Sequence, residues 1–196
     1  MGFWKENSVE PKRLFRFKIQ LDSADGTQGV TGGGMWWGKS VKIPTFTSSP
    51  VEHQYLDNVY KFPGKVRWQD ITLTMVDPSN PDAVSQVMNL LEQSGYHVKD
   101  PGEFQTISKK KATDQSVRNL TITVIDADGN DIEIWTVINP MVVDADLSTF
   151  NYDSDELREI TMTIAYDYAQ CQIKAGNRSV PERNYKFEKA ATPTGN

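Results

Sequence analysis

The feature that most constrains this chain is the alternation of apolar and polar residues across residues 62–77, which opens on a Pro-Gly turn. Alternation with a period of two is typical of a β-strand that buries one face. The apolar phase holds as far as Trp68 and resumes, one residue late, at Ile71. A β-bulge near Gln69 or Asp70 accommodates an extra residue and keeps both halves facing the core. We therefore predict one long, bulged strand here.

Further alternating segments make the chain predominantly β. The Asp-Gly pair at Asp128 and Gly129 separates two such runs and predicts a hairpin. The first strand is expected to bury Phe15, Phe17, Ile19 and Leu21 on one face, and the last one Ile160, Met162, Ile164, Tyr166 and Tyr168. Strands are predicted at residues 14–21, 35–43, 51–62, 117–126, 131–138, 141–147 and 159–168, with the second and third forming a long hairpin.

One amphipathic helix is predicted for residues 81–94. Asn80 is a suitable N-cap, and Pro81 suits the first helical position. A single apolar stripe follows, consisting of Val84, Val87, Met88 and Leu91. Such a helix is expected to cover one face or end of a sheet.

The composition fits one domain with a sizeable core, since 38% of the 196 residues are hydrophobic. We predict an N-terminal arm at residues 1–13, a β-domain at 14–170 and a C-terminal extension at 171–196. The net charge of −5 argues against tight nucleic-acid binding, which requires a basic surface. The basic run at residues 109–111 is interpreted as a solvated loop.

No residue pattern predicts catalysis, a cofactor or a metal. The two histidines, His53 and His97, lie in different segments without ligand spacing. The acidic turn at residues 126–131 resembles a calcium loop, but the glutamate that such a loop needs at its twelfth position is missing. A lone Cys171, an N-terminus without an apolar signal core and the lack of long apolar runs predict a cytosolic protein with no stable membrane association, unless a dedicated machine exports it.

Two sets of side chains are candidates for surfaces with a role. Aromatic residues on the long hairpin have little chain around them, so a protein partner is as good an explanation as burial within the domain. These inter-subunit contact candidates are Trp36, Trp37, Tyr55, Tyr60 and Phe62.

Threonines on the polar faces of three strands form the second set. High β-propensity alone explains them well, and a smooth surface without cations is the sharper interpretation. They are Thr72, Thr74, Thr121, Thr123, Thr161 and Thr163.

With these segments in order, the chain resembles the tail tube proteins of T4-like contractile phages over residues 12–170. The resemblance rests on WQDITLTMVD at residues 68–77, WTVINP at 135–140, YDS at 152–154 and EITMTIAYDY at 159–168. The arm and the extension exceed the short form of that family.

This resemblance implies an antiparallel β-sandwich or barrel with one helix, assembled into hexameric rings that stack into the inner tube of a contractile tail. It implies a structural protein of the virion that is assembled in the bacterial cytoplasm, is not an enzyme and conducts the genome into the host. Sheath, baseplate and tape-measure proteins are the implied partners, and DNA passes only transiently. Residues 41–62 are then expected to reach neighbouring subunits, and the threonines to include lumen-facing positions.

Three alternatives stay open. The chain could be the tube of a related secretion or injection device, or a tube initiator or baseplate protein. It could also be a small enzyme or ligand-binding β-barrel, which requires a pocket with convergent polar groups.

Overall fold

The computed structural model describes residues 11–23, 38–79, 82–94, 97–98, 104–105, 108–111, 117–153, 155–174 and 183–185. Within these residues the chain is mainly β, as predicted. The strands are β1 (Phe17–Ser23), β2 (Gly38–Val41), β3 (Thr45–Ser48), β4 (Val51–Tyr55), β5 (Asn58–Phe62), β6 (Val66–Gln69), β7 (Ile71–Val76), β8 (His97–Val98), β9 (Phe104–Gln105), β10 (Val117–Ile125), β11 (Asp131–Ile138), β12 (Met141–Asp146), β13 (Glu159–Ala165), β14 (Tyr168–Ile173) and β15 (Arg183–Tyr185). The helices are α1 (Ala83–Gln93) and the short α2 (Lys109–Lys111).

Two antiparallel sheets enclose the core. The five-stranded sheet has the order β1-β10-β11-β14-β15, and the four-stranded sheet has the order β12-β13-β7-β2. Their inward-facing side chains form one buried cluster, which supplies the main driving force for folding. Its largest members are Ile19, Leu120, Ile122 and Val137 from the first sheet and Ile71, Leu73, Met75, Ile160, Met162 and Ile164 from the second. The predicted antiparallel β-sandwich is confirmed.

Helix α1 adds to this cluster, but its start and its buried stripe differ from the prediction. Its N-cap is Asp82, whose carboxylate accepts a hydrogen bond from the Val84 backbone N–H at 3.2 Å. Asn80 and Pro81 lie outside the described residues. The buried positions are Ala83, Val87 and Leu90, whereas Met88 is half exposed.

Two stretches predicted as single strands are each two strands of different sheets. The chain breaks at Asp70, where β6, which pairs with β3, gives way to β7, which pairs with β13 and β2. The predicted β-bulge is therefore wrong. In the same way, Tyr166 and Asp167 carry the chain from β13 in one sheet to β14 in the other. At Asp70 the alternation slips by one residue, a signal that a bulge would also give. At Asp167 the alternation in the sequence continues to Tyr168 and hides the crossing, although the buried positions after it are Ala169 and Cys171.

Two other strand predictions need correction. β1 begins at Phe17, and Leu14 and Phe15 lie in a turn with 99% and 74% exposure, so Phe15 is not part of the buried face. Residues 51–62 form a hairpin of their own, β4 and β5, rather than one strand paired with residues 35–43. Its turn, at Leu56 and Asp57, carries no glycine or proline signal and was invisible to the pattern.

The hairpin predicted around the Asp-Gly turn is confirmed as β10 and β11. Gly129 has φ +83°, a left-handed conformation that glycine adopts without strain. β14 extends beyond the predicted domain boundary at residue 170, and β15 pairs with it. No helix in the described part of the chain is long and apolar enough to cross a membrane.

Candidate assembly surfaces

Residues 45–69 form a projecting hairpin, made of a stem (β3 paired with β6) and a tip (β4 paired with β5). Every residue of β4 and β5 is exposed. The large apolar side chains of the tip are 50% to 77% exposed: Val51, Tyr55, Leu56, Val59, Tyr60 and Phe62. A set of this size, uncovered by its own chain, is typical of a surface that binds another protein.

The register gives the tip two different faces. Residues directly opposite in an antiparallel pair share a face. Val51 lies opposite Phe62, His53 opposite Tyr60, and Tyr55 opposite Asn58, so one face is largely aromatic and aliphatic. The other face carries Gln54, Val59 and the Glu52–Lys61 ion pair at 3.3 Å. We refer to the first as the apolar face of the hairpin.

The stem is fixed to the sandwich by aromatic packing. The ring of Trp68 lies 5.5 Å from that of Phe46 and 6.0 Å from that of Tyr166, measured between centroids. Burial, followed by the charge of Asp70, raises the pKa of Tyr166 to about 12, so this ring stays neutral at physiological pH. These contacts orient the hairpin from the point where it leaves the core.

The junction of stem and tip requires glycine at position 64. A Cβ atom there would lie 1.7 Å from the Ser49 carbonyl oxygen. The Ser48 hydroxyl also donates to the Gly64 carbonyl at 3.2 Å. The two strands of the hairpin therefore approach each other at this level more closely than any side chain allows.

Three of the five predicted contact residues, Tyr55, Tyr60 and Phe62, lie on the apolar face. Trp36 and Trp37 lie outside the described residues. Sequence reasoning missed Val51, which lies on the same face, and Leu56, which is exposed at the turn of the tip. The signal was present in the alternation of residues 51–55, but without a recognised turn those residues could not be assigned to one face.

The six predicted threonines lie on two opposite outer faces of the sandwich. On the four-stranded sheet, Thr74 pairs with Thr161 and their Oγ1 atoms lie 3.3 Å apart. Thr72 and Thr163 form the adjacent pair. Thr121 and Thr123 lie on the five-stranded sheet. The structure thus divides them into two separate surfaces.

The outer face of the four-stranded sheet is acidic. Its strands contain three carboxylates, Asp144, Asp146 and Glu159, and one cation, Lys39, which pairs with Glu159. Asp146 extends the row formed by Thr74 and Thr161. By contrast, the strands of the five-stranded sheet contain three cations and three carboxylates, including Lys18 and Asp131, which lie 3.5 Å apart.

An open cleft lies where edge strands β1 and β2 of the two sheets face each other. Its volume is about 890 Å³. Apolar side chains line it, among them Leu14, Phe15 and Ile43. Four cations and one carboxylate also line it: Lys12, Arg13, Arg16, Lys39 and Glu133. Lys12 pairs with Glu133. Burial raises the pKa of Glu133, but the hydrogen bonds from Lys12 and Trp135 and the charge of Lys12 outweigh it, so this pKa lies below its ordinary value.

Two polar networks hold the connections between strands. Arg158 donates to the Leu147 carbonyl at 2.9 and 3.1 Å and to Asp77 at 2.9 Å, and its guanidinium lies over the Phe150 ring. Asp77 also accepts from the Ala83 backbone N–H at 3.2 Å. The carboxylate of Asp77, at the end of β7, thereby joins the start of α1 to Arg158 in the loop before β13.

The second network lies at the crossing from β13 to β14. Asp167 accepts from Asn139 Nδ2 at 2.8 Å and from Lys109 Nζ at 2.6 and 2.8 Å. Asn139, at φ +54°, occupies a left-handed conformation that asparagine tolerates. These hydrogen bonds, with that from Asn139 the largest influence, hold the pKa of Asp167 below its ordinary value.

The described residues contain no group of three or more potential metal ligands. In the turn that resembled a calcium loop, Asp126 accepts from the backbone N–H groups of Asp128 and Asn130 at 2.9 and 2.8 Å, so its carboxylate serves the turn. Cys171 is buried, and burial raises the pKa of its thiol.

Comparison with known proteins gives one family and a consistent fold. A sequence model of the T4-like virus tail tube protein gp19 family matches residues 13–170. A search of curated proteins gives no sequence match.

Three solved structures illustrate the likeness in fold. A chain from the extended sheath–tube complex of PVC, an extracellular contractile injection system, aligns with a TM-score of 0.59 and 15% identity, covering 89% of this chain and 99% of that one. A chain from the 6-fold symmetrised baseplate of the anti-feeding prophage gives 0.60 and 11%, covering 83% and 96%. Hcp1 from Salmonella typhimurium gives 0.50 and 13%, covering 88% and 95%.

Proposed function

The chain belongs to the T4-like virus tail tube protein family, and from this premise we propose that it is the inner tube subunit of a contractile-tailed phage. Stacked hexameric rings of the chain form the conduit through which the genome enters the host. The protein is a structural part of the virion tail, assembled in the bacterial cytoplasm, and is not an enzyme.

The observation that carries this proposal is the projecting hairpin with its uncovered apolar face. A monomer that leaves Tyr55, Tyr60 and Phe62 exposed loses the free energy that their burial would contribute, about 25 cal/mol per Å² of apolar surface. A neighbouring subunit in a tube supplies the missing cover. The edge strands of both sheets gain partners in the same assembly, which removes a site of uncontrolled pairing.

We assign the lumen to the outer face of the four-stranded sheet. Its threonine pairs and its three carboxylates give a hydrated, acidic wall. DNA carries about one negative charge per 1.7 Å of its axis, so a cationic wall would retain it and an acidic wall lets it slide. Thr72, Thr74, Thr161 and Thr163 are then the lumen-facing positions, and Thr121 and Thr123 lie on the opposite side.

The partners follow from the position of a tube inside a contractile tail. We propose that the chain contacts itself, the sheath, the baseplate and the tape-measure protein. It contacts DNA only during passage, and it forms no stable association with a membrane. The 6-fold symmetrised baseplate among the similar structures supports hexameric rings.

A second candidate is the tube of an extracellular injection particle or secretion device. The likeness in fold to a chain of the PVC sheath–tube complex favours it. Neighbouring genes separate the two functions, because a phage tube gene lies with capsid genes as well as a sheath gene, whereas an injection device carries a sheath gene without a capsid.

Negative-stain electron microscopy with light scattering, over a range of protein concentrations, tests the proposal. We expect rings or hollow tubes of constant diameter, formed either spontaneously or on a cognate baseplate or preformed tube end. Failure to extend such a nucleus would overturn the tube function and favour a monomeric binding module.

A further inference from the structure

The tip of the hairpin places an apolar side chain where the backbone disfavours one. We propose, resting on the tube function above, that Leu56 and Asp57 of one copy insert into the cleft between β1 and β2 of a second copy. The hairpin tip and this cleft are then the two halves of one repeating contact.

The backbone at Leu56 is the first observation. Its φ of +53° lies in the left-handed region, which a branched side chain rarely occupies. Glycine or asparagine is the usual residue at such a turn position. Leu56 is strained here and is also 77% exposed, so no burial within its own chain compensates for the strain. Strain of this kind persists where a side chain serves a function.

The cleft supplies the missing environment. Leu14 is 99% exposed, and Phe15 and Ile43 are exposed beside it, so its apolar lining is as uncovered as the hairpin tip. Inserting Leu56 would bury both surfaces at once.

Charge supports the same pairing. The cleft is lined by four cations and one carboxylate. Lys12 pairs with Glu133 and Lys39 pairs with Glu159, so the balance of the cleft is still positive, by two charges. The hairpin tip presents the carboxylate of Asp57 next to Leu56. An acidic tip and a basic cleft attract each other and set the orientation of docking.

The partner we infer is a second copy, because the hairpin tip and the cleft are both uncovered within one copy. The eleven residues from Thr45 to Tyr55 reach up to about 36 Å when extended, and the tip strands remain exposed along their whole length. Because tip and cleft are different surfaces, each copy donates one and accepts the other. Contacts of this kind continue around a ring or along a stack, as a tube requires.

A glycine substitution separates the backbone strain from the docking contact. We expect Leu56→Gly to keep or raise the melting temperature of the monomer, because it relieves the left-handed leucine. It should also raise the critical concentration for tube growth about tenfold, the factor that corresponds to a buried leucine. Leu56→Asn should have the same effects as Leu56→Gly. Leu56→Met, which keeps a large apolar side chain, should grow tubes at about the wild-type critical concentration. Wild-type growth by Leu56→Gly would overturn the proposal.

Cross-linking between copies identifies the site of docking. We mix Leu56→Cys with Leu14→Cys subunits, grow tubes on a nucleus and treat them with a short bis-maleimide. The mixture should give a covalent dimer that neither variant gives alone, and buried Cys171 should contribute little background. Lys61→Cys, on the other face of the hairpin, is the matched control and should give less dimer with Leu14→Cys.

The two proposals fail in different ways. Tubes that form normally without the Leu56–Leu14 cross-link would overturn the docking site and leave the tube function intact. A wild-type protein that extends no nucleus would overturn both.

Discussion

The sandwich core and the projecting hairpin use the same pattern of alternating residues with opposite results. In β7, Ile71 and Leu73 are at most 1% exposed, whereas in β5 Tyr60 and Phe62 remain about half exposed. Alternation therefore indicates a two-faced strand, but not what covers its apolar face. In the sandwich the second sheet covers it, and in the hairpin we infer that a neighbouring subunit does. The comparison predicts that the two regions respond to substitution in different assays.

The largest loss of monomer stability is expected in the core. Leu73→Ala removes a fully buried side chain between the two sheets, which should lower the free energy of unfolding by about 2–5 kcal/mol. Urea denaturation of the monomer measures it. The hairpin control Val59→Ala should change that free energy by less than about 0.5 kcal/mol. Equal losses would mean that the hairpin packs on its own domain in solution.

The next largest effect is expected at the polar network that joins β7, α1 and the loop before β13. Asp77→Ala leaves Arg158 without its carboxylate partner and the Ala83 backbone N–H without its acceptor. We expect a loss of about 2–3 kcal/mol in the same urea experiment, because Arg158 is only partly buried and keeps its bonds to Leu147. Exposed Asp155→Ala is the control. An Asp77→Ala variant with the free energy of unfolding of the wild type would show that this ion pair contributes nothing to the stability of the sandwich.

The hairpin should show the reverse behaviour. Tyr60→Ala removes an aromatic side chain from the apolar face, so monomer stability should stay within about 0.5 kcal/mol of wild type. Tube growth should weaken by about 2 kcal/mol, or roughly thirtyfold in critical concentration, as for a central aromatic contact. Gln54→Ala, on the other face, is the matched control for growth measured by light scattering. Equal growth defects in the two variants would contradict the assignment of faces.

The regular strands could be predicted from the sequence because their alternation and the Asp-Gly turn are local signals. The changes of sheet at Asp70 and Asp167 could not. At Asp70 the alternation slips by one residue, as it also does at a β-bulge, and at Asp167 it continues to Tyr168. The hairpin tip was missed for a different reason. Its turn places leucine at φ +53°, where glycine is usual, so neither glycine nor proline marks it.

The candidate surfaces were predictable only as residue types. Exposed aromatics and strand threonines could be read from the sequence, but sorting them into faces requires the strand pairing. Thr72 and Thr121 illustrate the point, because similar local patterns lie on different sheets. The cleft and the Arg158 network join residues from distant parts of the chain, and no local sequence pattern predicts such contacts.

The assignment of the lumen gives a prediction of moderate size. Thr72→Arg adds one cation per subunit to the acidic face of the four-stranded sheet, so assembled tubes should retain DNA and particles should eject it severalfold more slowly, with the defect relieved by salt. Thr121→Arg places the same charge on the five-stranded sheet as a matched control. A larger defect in Thr121→Arg would assign the lumen to the other sheet.

The smallest effect is expected at Asp167, whose contacts tie the two sheets within one subunit. Its pKa is lowered in the folded state, so its contribution to stability is present above about pH 4, the ordinary value for aspartate, and is lost as the pH falls through the lower folded value. Asp167→Asn should therefore destabilise the monomer slightly at pH 7, by less than about 1 kcal/mol because the group is well exposed. It should also flatten the fall in stability below about pH 4, as measured by urea denaturation across that range. Since this network lies inside the subunit, the folded variant should grow tubes like the wild type. A growth defect at neutral pH would place Asp167 in a contact between subunits, so the core and the hairpin would no longer respond in different assays.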